Sequence, residues 1–200
     1  MGGLKLNRVI APILALLEMF MFMQTGAAQG PPLPPKTFTS SELGFSYSPP
    51  QDGRDLTKYE EELLRQRAAA NHSTNTSTIL LAVVSGPEDK AANWYSVGIQ
   101  SYPREKLSGL TDHDACETYS RRVAGVGHQT ANQTGRPVDM QIGGADFVVS
   151  AFGLSEPPLD KQARVYTTIR RGQMIGLSFT ANSAGVLDRI VQTMKTFRLQ

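Results

Sequence analysis

Between residues 40 and 200 the hydrophobic pattern changes period several times, and each change marks an element. Leu43, Phe45 and Tyr47 alternate with small or polar residues, as in a half-buried strand, until Pro49-Pro50 ends the run. Residues 57–70 switch to helical spacing through Tyr59, Leu63 and Leu64. Acids stand in the first turn and Arg65 and Arg67 in the last, with Thr57 as expected cap toward Glu60. Residues 71–77 read as a polar turn. Residues 78–85 are a continuous apolar run rich in β-branched side chains, which predicts a strand buried on both faces. Alternation returns from Trp94 to Tyr102. A helix is expected from Thr111 or Asp112 to about Ala124, closed by Gly125 and Gly127, with Ala115, Cys116, Tyr119 and Val123 on one face.

The last third predicts two hairpins and a helix. Residues 138–142 and 145–152 flank Gly143-Gly144, a pair able to adopt the positive φ of a tight turn. Residues 164–170 and 174–180 flank Arg171-Gly172-Gln173. Residues 183–196 then carry an apolar stripe of Val186, Leu187, Ile190, Val191 and Met194, after which Phe197 and Leu199 extend back toward the sheet. The result is an α+β fold, an antiparallel sheet covered by helices, occupying residues 40–200 as a single domain. No fixed-period repeat suggests a solenoid or propeller.

The amino-terminal segment has a different composition. Lys5 and Arg8 precede an apolar stretch over residues 9–23, interrupted by Glu18, and Gly26-Ala27-Ala28 supplies small residues for cleavage. Residues 1–28 are therefore expected to be a signal peptide, with a single-pass anchor left uncleaved as the alternative. The stretch is shorter than the roughly 20 residues that span a bilayer, so no integral membrane span is expected after cleavage. Residues 29–39 hold Pro31, Pro32, Pro34 and Pro35 and read as a disordered linker. A secreted protein, periplasmic or extracellular, follows from these features. Its one cysteine, Cys116, leaves no internal disulfide to support the fold.

Four motifs carry the chain's resemblance to known proteins. They are Leu43-Gly44-Phe45-Ser46-Tyr47-Ser48-Pro49, Gly144-Ala145-Asp146-Phe147, Gly176-Leu177-Ser178-Phe179-Thr180 and Met194-Lys195-Thr196-Phe197-Arg198-Leu199. The chain resembles the superfamily containing the PsbP proteins of photosystems, the nuclear-transport factor Mog1 and the DcrB-like secreted proteins. The resemblance implies a PsbP/Mog1-like sandwich, and a role in binding or assembling other proteins with no shared catalytic set. The chain departs from the pattern by inserting the helix of residues 57–70, and by having no tryptophan before Trp94.

Candidate chemistry is sparse. His113 and Cys116 are three residues apart on an expected helix, where an imidazole can activate a thiol. His128 is the other available base. A thiol-dependent hydrolase is the alternative these residues allow, although Cys116 also sits on the apolar stripe, where a cysteine acts as a small hydrophobe. A metal would require His113 with Asp112, Asp114, Glu117 or His128. Adjacent residues fan around a helix start, and those acids serve equally as cap and dipole partners. Gly125-Val126-Gly127 follows a helix and lacks the third glycine of a dinucleotide loop. The formal net charge of +2 is dispersed, and Arg121-Arg122 and Arg170-Arg171 lack interleaved aromatics. The expectation is thus a non-enzymatic binding or assembly module of the cell envelope or extracellular space. It has no catalytic, metal or cofactor site, its partner is another protein, and no nucleic acid is involved. Asn71, Asn75 and Asn132 head Asn-x-Ser/Thr sequons in segments read as loops, usable only in a eukaryotic secretory route.

Overall fold

A computed structural model describes residues 31–70, 77–86, 93–125, 130–155 and 160–200. Asn71, Asn75, Gly127 and His128, and the signal peptide expected over residues 1–28, lie outside the described residues. The main sheet is antiparallel. In spatial order its strands are β3 (Arg54–Asp55), β4 (Thr78–Val84), β5 (Tyr95–Pro103), β10 (Gln173–Ala181), β9 (Lys161–Arg170), β8 (Ala145–Ser155) and β6 (Thr130–Gln133). Strand β7 (Val138–Ile142) pairs with the first five residues of β8. A second sheet joins β1 (Phe38–Ser40), β2 (Phe45–Tyr47) and β11 (Arg198–Leu199). The helices are α1 (Thr57–Ala70), α2 (Asp112–Gly125) and α3 (Ala184–Val191). Among the described residues no helix is long and apolar enough to cross a membrane.

The two faces of the main sheet alternate along each strand, as pleating requires. On one face Tyr95, Val97, Ile99, Ile175, Leu177, Phe179 and Tyr166 meet Val186, Leu187, Ile190 and Val191 of α3. Ser183 begins that helix by accepting a bond from the Val186 amide at 3.4 Å. Phe45, Tyr47 and Phe197 of the small sheet complete this core, with Phe45 and Phe197 stacked at 5.3 Å and Phe147 edge-on to Phe197 at 5.1 Å. On the other face Phe152, Leu154, Ala163, Val165 and Met174 meet Ala115, Tyr119, Val123 and Ala124 of α2. Gly176 permits that approach: a Cβ there would stand 3.1 Å from both the Tyr119 ring and the Val123 methyl.

The hairpins expected from the sequence are present, as are the three helices. Gly143 and Gly144 have φ of 57° and 86°, and a Cβ on Gly143 would lie 2.0 Å from the Phe197 carbonyl oxygen. Only glycine therefore lets the β7–β8 turn pass under the closing strand. The second hairpin turns on Arg171 and Gly172 alone, with φ of 48° and 75°. Arg171 offsets its left-handed backbone by donating to the Ser41 and Glu42 carbonyls at 2.8 and 2.7 Å.

The structure corrects several boundaries. The final helix tightens to 3-10 geometry at Gln192–Thr196, where the Thr193 and Thr196 hydroxyls bond to carbonyls three residues back. Thr57 does not form a capping box with Glu60. Its hydroxyl bonds to Asp55 and receives the Ala82 amide, tying the start of α1 to β4. Three short strands, β1, β3 and β6, were not apparent in the sequence pattern. Asn132, read as a loop residue, is exposed on β6. The folded part reaches back before Ser40, since Phe38–Ser40 pairs with β2 and the Pro32 carbonyl accepts the Asp55 amide at 2.8 Å. Proline removes a donor but leaves the carbonyl able to accept.

Candidate functional site

The sheet opens where the β8–β9 ladder ends. Register runs from Leu154↔Lys161 to Val148↔Thr167 and stops there, so Ala145, Asp146 and Phe147 part from Thr168, Ile169 and Arg170. A cleft of about 680 Å³ occupies the gap, walled by these residues, by Asp139, Met140 and Gln141 of β7, and by Asp112, His113 and Cys116 of α2.

Local sequence places the α2 wall. Thr111 caps the helix: its hydroxyl accepts the Asp114 amide at 3.2 Å and donates to the Asp114 carboxylate at 2.7 Å. Arg104, in the 3-10 turn Arg104–Leu107, holds the approach segment. It donates to the Leu107 and Leu110 carbonyls, each at 2.6 Å, and to the Asp112 carboxylate at 3.0 Å. Across the cleft, Asp139 stands 3.5 Å from Nε2 of His113, and the Gln141 amide donates to Asp146 at 3.2 Å.

Cys116 and His113 thus line one cleft, as their spacing predicts, but the thiol is not in the state a nucleophile needs. Cys116 is 4% exposed. Burial pushes its thiol up to about 12, reinforced by the negative charges of Asp112 and Asp139 and only partly countered by Arg104. The thiol is neutral at physiological pH. Directly beneath it, the Ser120 hydroxyl bonds to the Cys116 carbonyl at 2.9 Å and to Thr167 at 2.7 Å, which ties this turn of helix to β9.

The potential metal ligands converge more than adjacent positions on a helix suggest. Ligand atoms of His113, Asp114 and Glu117 lie within 4.8 Å of one another. Each carboxylate already has a structural partner, Thr111 for Asp114 and Arg121 for Glu117, while Asp112 belongs to Arg104. Both basic pairs are also engaged in part. Arg121 reaches Glu117 and Gln133, Arg122 lies 4.5 Å from the Tyr102 ring centre, and Arg171 clamps the β1–β2 turn.

The sequence pattern places Val138, Asp139 and Met140 on a strand and Asp146 in a motif of the family resemblance, but assigns none of them to a site. Their alternation was visible, yet nothing in it tells an edge strand from a central one. Only the pairing of the whole sheet leaves β7 at a border.

No family model matches the chain, and neither does any curated protein. Among solved structures it is similar to the cyanobacterial PsbP (CyanoP) of Synechocystis sp. PCC 6803. The identity is 13% over 88% of this chain and 96% of that one, with a TM-score of 0.48. It is also similar to LpqN of Mycobacterium tuberculosis, a protein involved in cell envelope biogenesis. There the identity is 9% over 80% of this chain and 87% of that one, with a TM-score of 0.45. No residue role is carried across from either protein.

Proposed function

We propose that this protein is an exported, non-enzymatic binding or assembly module that acts on another protein in the cell envelope or extracellular space. The observation that carries the reading is the open cleft beside α2. Its one nucleophile is held protonated by burial, while its rim presents exposed apolar and acidic side chains. Such a surface suits recognition better than bond cleavage, since covalent catalysis requires an activated nucleophile and an orienting partner. Export is supported by the positive residues Lys5 and Arg8, the apolar stretch after them and the small residues Gly26, Ala27 and Ala28.

Two measurements test this. Mass analysis of the protein recovered from outside the cytoplasm should give a chain beginning at Gln29; an intact chain retained in the cytoplasm would contradict export. The exported chain, immobilised, should capture an envelope protein saturably and release it to soluble competitor. Absence of saturable capture, together with turnover of an ester or amide substrate that is lost in Cys116→Ser, would favour the thiol hydrolase instead.

A further inference from the structure

Strand β7 has a free edge. All of its register partners lie on β8, and no described strand pairs with its other side. Val138, Asp139, Met140 and Gln141 are exposed and only Ile142 is half-buried. Val138 is 58% exposed and Met140 44%, which puts two of the large exposed apolar side chains of the described residues on this one short strand. An unpaired edge offers its amides and carbonyls to any extended chain, and edges that must stay solitary usually carry lysine, proline or a bulge within the strand. Pro137 stands just outside β7, and within it the one charged residue is an aspartate.

The pleat sorts the side chains of β7 into two rows. Val138, Met140 and Ile142 point to the α3 side, where Ile142 packs against the core. Asp139 and Gln141 point to the α2 side, toward His113 and Asp146. Charge on that side is mainly acidic, with Arg170 on the β9 wall a cation that also lines the cleft. Asp112 and Glu117 are neutralised by Arg104 and Arg121, whereas Asp114, Asp139 and Asp146 have no arginine or lysine partner among the described residues. The backbone supplies a register as well. Ile142 and Ala145 flank the two-residue turn as partners, so they close the first hydrogen-bonded pair of the hairpin. The alternation of an antiparallel ladder then turns the N–H and C=O of Asp139 and Gln141 outward.

We propose that the free edge of β7 accepts an extended polypeptide segment as an added strand, with apolar residues alternating with lysine or arginine. Its apolar row lies beside Val138 and Met140 and its cationic row beside Asp139 and the acids behind it, while Asp139 and Gln141 supply the main-chain bonds. This is strand addition, in which backbone pairing gives affinity and alternate side chains give selectivity. The inference rests on the reading of the protein as a binding module and names the chemistry of its partner. A second copy of this chain is a poorer occupant, because pairing β7 with β7 would bring like acidic rows together.

The test uses two synthetic capped heptapeptides of equal apolar content, one alternating isoleucine with lysine, the other isoleucine with glutamate. The lysine peptide should bind at least about tenfold more tightly, and its affinity should fall severalfold between low and physiological salt. Hydrogen exchange at the Asp139 and Gln141 amides should slow in the complex. Gln141→Pro removes an outward donor while leaving the β8 ladder in place, and should abolish binding at an unchanged melting temperature. Asp139→Asn should weaken binding severalfold. Equal binding of the two peptides, protection at another strand, or unaltered binding by Gln141→Pro would overturn the proposal. So would a dimer whose β7 amides are already protected without peptide. Saturable capture of an envelope protein by Gln141→Pro at full affinity would remove β7 from the account and leave the binding-module reading intact.

Discussion

The two faces of the main sheet are packed differently. The α3 face is an aromatic chain in which each ring contacts the next: Tyr47 to Phe179, Phe179 to Tyr166, Tyr166 to Phe147, and Phe147 to Phe197. The α2 face is smaller and more polar. It buries the hydroxyls of Ser120, Thr167 and Ser150, and among the described residues it leaves Tyr119 Oη and Ser150 Oγ without a hydrogen-bond partner. The cleft opens at the end of that second face. Stability is concentrated on one side, which leaves the other side free to carry a concave, chemically mixed surface.

The largest expected effect lies on the aromatic face. Phe179→Ala removes a fully buried ring that touches two others and should cost about 3–5 kcal/mol by denaturant titration. A loss below about 1 kcal/mol would mean that this face is not the main store of stability. The next effect is pH-dependent. Burial raises the Cys116 thiol to about 12, and burial likewise raises the Tyr47, Tyr95 and Tyr119 phenols above their ordinary values, with Asp52 adding to the shift at Tyr95. Above about pH 9 the unfolded chain releases protons that the folded chain keeps. Stability must therefore fall as pH rises, by about 1.4 kcal/mol per pH unit for each proton retained. A denaturation midpoint that is flat from pH 9 to 11 would rule this out.

The hydroxyls of the α2 face sharpen the contrast at smaller scale. Ser120→Ala strands the buried Thr167 hydroxyl and should cost about 1–3 kcal/mol. Ser150→Ala removes a hydroxyl that has no partner, so its effect should stay within about 0.5 kcal/mol or be slightly stabilising. Equal losses for the two serines would show that the hydroxyl network does not distinguish them.

Much of the architecture was legible because periodicity is a property of single elements. The stripe of α3, the unbroken apolar run of β4 and the glycine turn at Gly143-Gly144 each declare themselves locally. The short strands were not legible, since two to four residues in β1, β3 and β6 carry too little pattern and exist only through their partners. The site was half legible. His113 and Cys116 do share a cleft, but the thiol's protonation follows from burial against a sheet that lies far along the chain. The edge status of β7 likewise depends on which strands stand beside β8, information distributed over the whole domain.

The central claim, that the cleft binds and does not use its thiol, is tested most directly by the pH dependence of Cys116 alkylation in the native protein. The account predicts slow labelling at pH 7–8 that accelerates only well above the ordinary thiol range. Rapid labelling with a midpoint below about pH 8 would reveal an activated thiolate and contradict it.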